Sequence, residues 1–317
     1  FLCGVLRDSW ESVRGNSVMS SYMINVATQI IIQAIAACGL NVIVGNAGQI
    51  SLGHAAFVGI GAYSNAMLTT VGGMSFWQAL PISLLIVGIV GLLCGLPSLR
   101  VKNDFLAITT IGINFIVVAV FQYTPALGGA LGIGGIPRVR LLGHALKGDA
   151  FMYLCIAALV LVLIICKFFT SSWAGLSCFA VREEETAASS MGVSPVKAKL
   201  TAFVLGTVMA GLAGALYAHY MRFISADSFT FPFSVTLLSI VVAGGLGTFW
   251  GPVLGAIVLG MLPEIFRPLV DYRMFLYAAL LLLMIRFMPG GILGGSTILS
   301  VKNLMKKKDR NGGGKVE

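Results

Sequence analysis

Apolar residues run along this chain in blocks about one membrane thickness long. A helix needs about 20 mostly apolar residues to cross a hydrocarbon core. Windows of that kind fall at 22–44, 51–70, 76–96, 104–124, 149–169, 200–220, 233–249, 251–267 and 272–288. The opening "FLCGVL" is apolar before the chain turns polar at Arg7, which reads as the stub of a further span or as the end of a cleaved signal peptide. The pattern predicts an all-α, polytopic transmembrane helical bundle of about 9–10 spans with broken helices. No polar linker is long enough to divide it, so residues 1–317 form a single domain.

Two interruptions stand out. "GLNVIVGNAGQISLGHAAFVGIGAY" is an apolar run cut at Asn46, Gly48 and Gln49, and it resumes at Ser51 and His54. Residues 228–263 carry no charge and would make one helix about 54 Å long, far beyond a ~30 Å core. "GGLGTFWGP", with Gly245, Gly247 and Gly251, divides that stretch into two short crossings. Paired interruptions in the two halves of a membrane chain point to a transport pathway; two unrelated glycine-rich packing faces are the alternative. Non-helical backbone at membrane depth survives only under a cover of protein or beside a water-filled cavity. The five polar-break residues are therefore expected in a broken or tightly packed region facing a path or a partner subunit, with Gln49 and Ser51 available to satisfy freed backbone groups. His54, near a helix end, is expected as a structural hydrogen bonder rather than a ligand.

Composition sharpens this picture. The chain is 57% hydrophobic and 10% charged, with a mean hydropathy of +0.94, whereas soluble domains carry about 25% charged residues. The net charge of +9 does not mark a nucleic-acid binder, because its distribution follows the membrane. If 170–199 is cytoplasmic, thirteen Lys and Arg fall inside, including those of the tail "KNLMKKKDR", and eight fall outside. The basic cytoplasmic tail, 289–317, reads as an anchor on anionic lipid, with a partner site as the alternative. The six cysteines have no paired or metal-like spacing and read as small apolar filler.

Several chemistries are excluded. "NGGGKVE" is not a phosphate-binding P-loop: Asp309 stands where the first glycine belongs and Val316 where a hydroxyl must reach magnesium. The middles of the spans hold no Asp, Glu, Lys or Arg, which disfavours an ion-coupled carrier. No nucleophile–base pair is visible, and the only histidines are His54, His144 and His219. An intramembrane enzyme is the weakest class.

The loop 170–199 contains "VREEETAASSMGVSPVKAKL". Glu183, Glu184 and Glu185 suit a first helical turn, where the dipole favours acids. Ala187, Ala188 and Met191 give a small apolar face, Gly192 a left-handed cap, and Pro195 a stop. This predicts a helix of roughly ten residues, either a plain connection or a docking helix.

An acidic-Ala-Ala, three residues, Gly signature in a long cytoplasmic loop resembles the coupling motif of ABC importer permeases. "LRVKNDFLAITTIGINF", "MAGLAGALYAHY", "GGLGTFWGPVLGAIVLGMLPE" and "FMPGGILG", with the two stretches quoted above, extend the likeness over almost the whole chain. They resemble the permeases of branched-chain amino-acid importers of the LivM kind. "SLGHAAF" and "LRVKNDFLAITT" favour that kind over its LivH sister. The resemblance implies that Arg182, Glu185, Ala187, Ala188, Gly192 and Lys199 lie on an ATPase-coupling motif. It implies a non-enzymatic, cofactor-free subunit of the bacterial inner membrane. The expected partners are a LivH-like permease, two ABC ATPases that bind the ATP and magnesium, and a periplasmic amino-acid-binding protein. The implied cargo is leucine, isoleucine or valine, and relatives for urea, short amides or other amino acids share most of these motifs. A pathway without mid-membrane charge suits cargo passed on without tight holding. The rival class is a channel for small neutral solutes, which has no need of an ATPase dock. The external segment "TPALGGALGIGGIPRVRLLGHALKGD" is either a receiving surface for the binding protein or a floppy loop.

Overall fold

A computed structural model of the chain describes residues 2–98, 103–141, 144–146, 148–265, 282 and 291–293. Ten α-helices are present among them: α1 (Leu2–Asn41), α2 (His54–Thr70), α3 (Phe76–Ser98), α4 (Asn103–Tyr123), α5 (Asp149–Ser171), α6 (Trp173–Glu183), α7 (Glu185–Ser190), α8 (Pro195–Met221), α9 (Phe231–Gly244) and α10 (Gly251–Ile265). Among the described residues, six apolar stretches are long enough to cross a membrane: Tyr22–Asn46, Phe76–Leu96, Phe105–Tyr123, Asp149–Ser171, Pro195–Met221 and Ala226–Gly244. The expected window at 51–70 is a helix of 17 residues, and that at 251–267 is helical over its described residues, Gly251–Ile265. The window at 272–288 and the basic tail lie outside the described residues. The chain is thus a polytopic all-α membrane bundle. The opening apolar residues are not a separate element, because Leu2–Asn41 run as one helix. The polar residues after Arg7 include no proline, so nothing there forces the ladder to stop.

α8 is the hub, packed against α1, α2, α3 and α6, while α1 also meets α5, α9 and α10. Burial divides the helices into two classes. The most apolar windows of α1 and α8 are 67% and 61% buried, against 28%, 22% and 28% for α3, α4 and α5. The outer helices turn Leu85, Ile89, Phe115, Ile116, Val160 and Phe168 outward, the surface a lipid-facing or subunit-facing helix requires. Inside, backbones approach closely over small residues. A Cβ on Gly61 of α2 would stand 2.7 Å from the carbonyl carbon of Gly211 in α8. Close approach of this kind is how membrane helices gain dispersion contact when burial from water contributes nothing.

The described residues of the segment joining α4 and α5 include short paired strands. Its strands β1 (Ile133–Gly134) and β2 (Arg140–Leu141) pair antiparallel with β4 (Phe223–Ile224) and β3 (His144–Ala145) respectively. Ile136 and Val139 are buried, and the Ile136 amide donates to the Arg222 carbonyl at 3.3 Å. His219 sits 2.7 Å from the Pro137 carbonyl and 2.8 Å from Asn65 Oδ1, which ties the segment to the end of α8 and to α2.

Gly61→Val is expected to destabilise the bundle by about 1–3 kcal/mol through overpacking, read as a lowered unfolding temperature in detergent. Ile89→Ala, on an outward-facing position, should stay within about 0.5 kcal/mol of the parent.

Candidate functional site

The ladder of α1 does not end cleanly. It widens into a π-helical turn, Val42–Asn46, and residues 47–53 then run irregularly to the start of α2 at His54. Single π-turns inside α-helices concentrate at functional sites. The cut is covered by this chain's own helices: Asn46, Gln49, Ser51 and His54 are all at most 2% exposed. Gly48 takes a left-handed φ of 67°. The freed amides find partners within the bundle. Gln49 donates its backbone N–H to the Ile43 carbonyl at 3.1 Å, and Leu52 donates to Thr110 Oγ1 of α4 at 3.0 Å. The Ala55 amide, in the first turn of α2, donates to Ser234 Oγ of α9 at 2.9 Å. Gln49 Oε1 and Ser51 Oγ are themselves without a hydrogen-bond partner, as are Asn46 Oδ1 and His54 Nδ1. The expected rescue of freed backbone by Gln49 and Ser51 is therefore replaced by Thr110 and Ser234, which the neighbouring helices bring close. His54 Nε2 sits 3.1 Å from the Ala36 carbonyl of α1.

The second interruption, 245–250, separates α9 from α10, with Gly245 and Gly247 at positive φ. Thr248 Oγ1 donates to the Gly245 carbonyl at 2.7 Å. Two amides from further along the chain, Ile292 and Leu293, donate to the carbonyls of Ala243 and Gly244 at 2.8 and 3.1 Å, capping α9. Gly251 opens α10 and lies so close to the turn that a Cβ there would stand 2.6 Å from the Gly245 carbonyl oxygen.

The two interruptions meet. A Cβ on Gly45 would lie 2.8 Å from the Cα of Gly247. Asn41, buried at the end of α1, fastens them with both ends of its amide: Nδ2 donates to the Thr248 carbonyl at 3.0 Å and Oδ1 accepts from the Gly247 amide at 2.9 Å. Arg182, the next-to-last residue of α6, donates through Nη1 to the Gly45 carbonyl. A Cβ on Gly247 would come within 2.8 Å of the same nitrogen, and one on Gly48 within 3.0 Å of Arg182 Cγ. One side chain of the loop 170–199 thus reaches both interruptions.

That loop is a two-helix arm, α6 then α7, rather than one ten-residue helix. Glu183 ends α6, Glu184 is an extended link, and only Glu185 opens α7. The three acids therefore do not share one first turn; the extended backbone at Glu184, ψ 109°, divides them. Ala188 faces inward while Ala187 and Met191 are exposed, so the alanines do not share a face. Gly192, at φ +84°, takes the left-handed position after Met191, and Val193 donates back to the Ala188 carbonyl at 3.0 Å. Pro195 is the first residue of α8. Glu185 pairs with Lys199 of α8 at 2.7 Å, which ties α7 to the hub helix. Cys178 of α6 is buried and points at the Ala198 carbonyl; burial pushes its thiol up to about 11. The resemblance brought Arg182, Glu185, Gly192 and Lys199 forward. It did not reveal Asn41, Thr110 or Ser234, whose only signal is a polar side chain inside an apolar run.

The sequence pattern of the family described as "Branched-chain amino acid transport system / permease component" matches residues 22–285. The chain is 35% identical over 301 residues to the high-affinity branched-chain amino acid transport permease LivM of Salmonella typhimurium, covering 87% of this chain and 71% of that one. It is 36% identical, with the same coverage, to LivM of Escherichia coli. LivH of Escherichia coli matches at 30% over 122 residues, 38% of this chain and 39% of that one.

Asn41→Leu removes both bonds across the interruptions and is expected to cost about 1–3 kcal/mol through the unpaired Gly247 amide, visible as a lower unfolding temperature. Cys178 should resist a maleimide at pH 8, where its raised pKa keeps it a buried thiol, and should label once the protein is denatured.

Proposed function

The chain belongs to the branched-chain amino acid transport permease family, and we propose that its two-helix arm is the handle by which partner ATPases drive it. It is a multi-pass membrane permease of branched-chain amino acid transport, not an enzyme by family. The finer reading is an importer in the bacterial inner membrane. There the chain pairs with a LivH-like permease and receives leucine, isoleucine or valine from a periplasmic binding protein. Two ABC ATPases, holding ATP and magnesium, supply the motion.

The observation that carries this reading is the bond from Arg182 to the Gly45 carbonyl. α7 offers an exposed face, with Ala187, Ser189 and Met191 outward, for a groove on an ATPase. Ala188 and the Glu185–Lys199 pair anchor its inner side, so a push on α7 moves α6 and the start of α8 with it. Arg182 then passes that displacement to the point where both interruptions meet. The interruption after α1 is suited to two arrangements. Asn46, Gln49, Ser51 and His54 each present there one buried polar atom without a partner in this chain, the groups that a second packing of the break would engage. ATP binding shifts the balance between such states without the permease handling nucleotide. A channel would need neither the arm nor its tie to the breaks.

Two kinds of variant separate docking from transmission. Glu185→Arg and Gly192→Val are expected to lose ATPase co-purification or transport while the bundle still assembles. Arg182→Leu should keep the ATPases bound and lower uptake about tenfold or more, since a charged hydrogen bond contributes about 1.5–3 kcal/mol. Unchanged uptake in Arg182→Leu, with unchanged co-purification in the other two, removes the coupling assignment.

A further inference from the structure

A cavity of about 140 Å³ lies between α1, α2, α8 and the segment leading into α9. Gln29, Ile32, Gln33 and Ala36 line it from one face of α1, at the i, i+3, i+4, i+7 spacing that stacks side chains along a helix. Val58 and Ala213 close the inner wall, and Phe229 forms its buried end. None of the lining residues is charged. Gln29 is exposed, Gln33, Tyr217 and Ser228 are half-buried, and Ile32, Ala36, Val58, Ala213 and Phe229 are buried, so the polar side chains lie on the more open side and the depth is aliphatic and aromatic.

We propose that this cavity is a transit site for an aliphatic α-amino acid, with the side chain in the recess and the zwitterion at the two glutamines. This inference rests on the importer reading and adds to it a place for the cargo. Apolar cavities of about 150 Å³ hold benzene, six carbon atoms, so this recess takes a three- or four-carbon branched side chain. A side-chain amide has both a donor and an acceptor end. Two of them, four residues apart on α1, serve an ammonium and a carboxylate without a fixed charge that would trap either. Neither Gln29 nor Gln33 has its side chain committed to another described residue.

Buried polar residues hold the wall, and two of them, His54 and Ser234, also lie at the break after α1 or bond its edge. His54 Nε2 sits on the carbonyl of Ala36, and Asn114 Nδ2 donates to the carbonyl of Phe229 at 3.2 Å. Ser234 holds the Ala55 amide, three residues before Val58. A rearrangement at the break after α1 therefore reaches the recess through the first turns of α2, which gives the arm a route to the cargo.

The test uses the full complex in proteoliposomes with its binding protein, comparing leucine and valine uptake. Ala213→Val adds two methyl carbons to the depth of the recess. One methylene in a hydrophobic pocket changes selection by about 10–200-fold, so the leucine-to-valine uptake ratio should fall about tenfold. A second variant adds no bulk to the wall: Gln29→Cys, labelled by a small thiol reagent, should be protected by leucine-loaded binding protein. If the Ala213→Val complex does not assemble, this labelling decides alone. An unchanged uptake ratio in an assembled Ala213→Val complex, or labelling of Gln29→Cys that leucine does not slow, overturns the site. Failure of the parent complex to take up either amino acid instead overturns the importer reading.

Discussion

Every backbone N–H and C=O freed within a membrane must find a partner in the protein, and this chain breaks its helical ladder twice. Most else in the structure follows from how those groups are satisfied. The breaks are placed back to back, so that one buried amide, Asn41, serves the second from the end of the first. Thr110 and Ser234 accept from the amides of Leu52 and Ala55, and the amides of Ile292 and Leu293 donate to the carbonyls of Ala243 and Gly244. The glycines at 45 and 247 are consequences of that apposition, because any Cβ there would occupy the partner's backbone. Arg182 completes it from outside the bundle, and it is the only described charged side chain that donates to either break.

This arrangement gives the arm a physical meaning in the proposed reading. A helix on the surface is easily moved; a helix core is not. Linking α6 to the one place where the core ladder is already interrupted lets displacement enter the bundle without breaking further hydrogen bonds of α1 or α8. Of the six described side chains that bury an unpaired polar atom, four, Asn46, Gln49, Ser51 and His54, gather at this break, and Tyr63 and Asn114 lie on α2 and α4. The neighbouring cavity shares its wall with that region through His54 and Ala36. Arm, breaks and recess are linked by successive contacts, Arg182 to Gly45, Asn41 to Gly247 and His54 to Ala36, which in the proposed reading is the route of the displacement.

The bundle was legible because its signal is long and repeated: apolar blocks of span length survive errors of a few residues at their ends. Both interruptions were legible too, since polar residues at 46–54 and glycines at 244–251 have no place in an exposed membrane helix. Their meeting was not legible, because it depends on the crossing of α1 with the α9–α10 turn, 206 residues away along the chain. The arm is legible only in outline. Three consecutive glutamates look like one helical turn, yet the chain uses the middle one as an extended link. The bracing residues carried a faint signal. Asn41 in "CGLNVIV" and Asn114 in "IGINFIV" are lone amides in apolar helices, which are expensive unless paired.

The central claim is that arm and breaks move as one unit when the motor acts. Spin-label distances in the assembled complex, with and without vanadate trapping, test it most directly. One pair joins Ser189 on α7 to Leu246 in the second break, and the other joins Ser189 to Tyr153 on the outward face of α5. The account predicts that the first distance is preserved on trapping while the second changes. A first distance that changes as much as the second would contradict it.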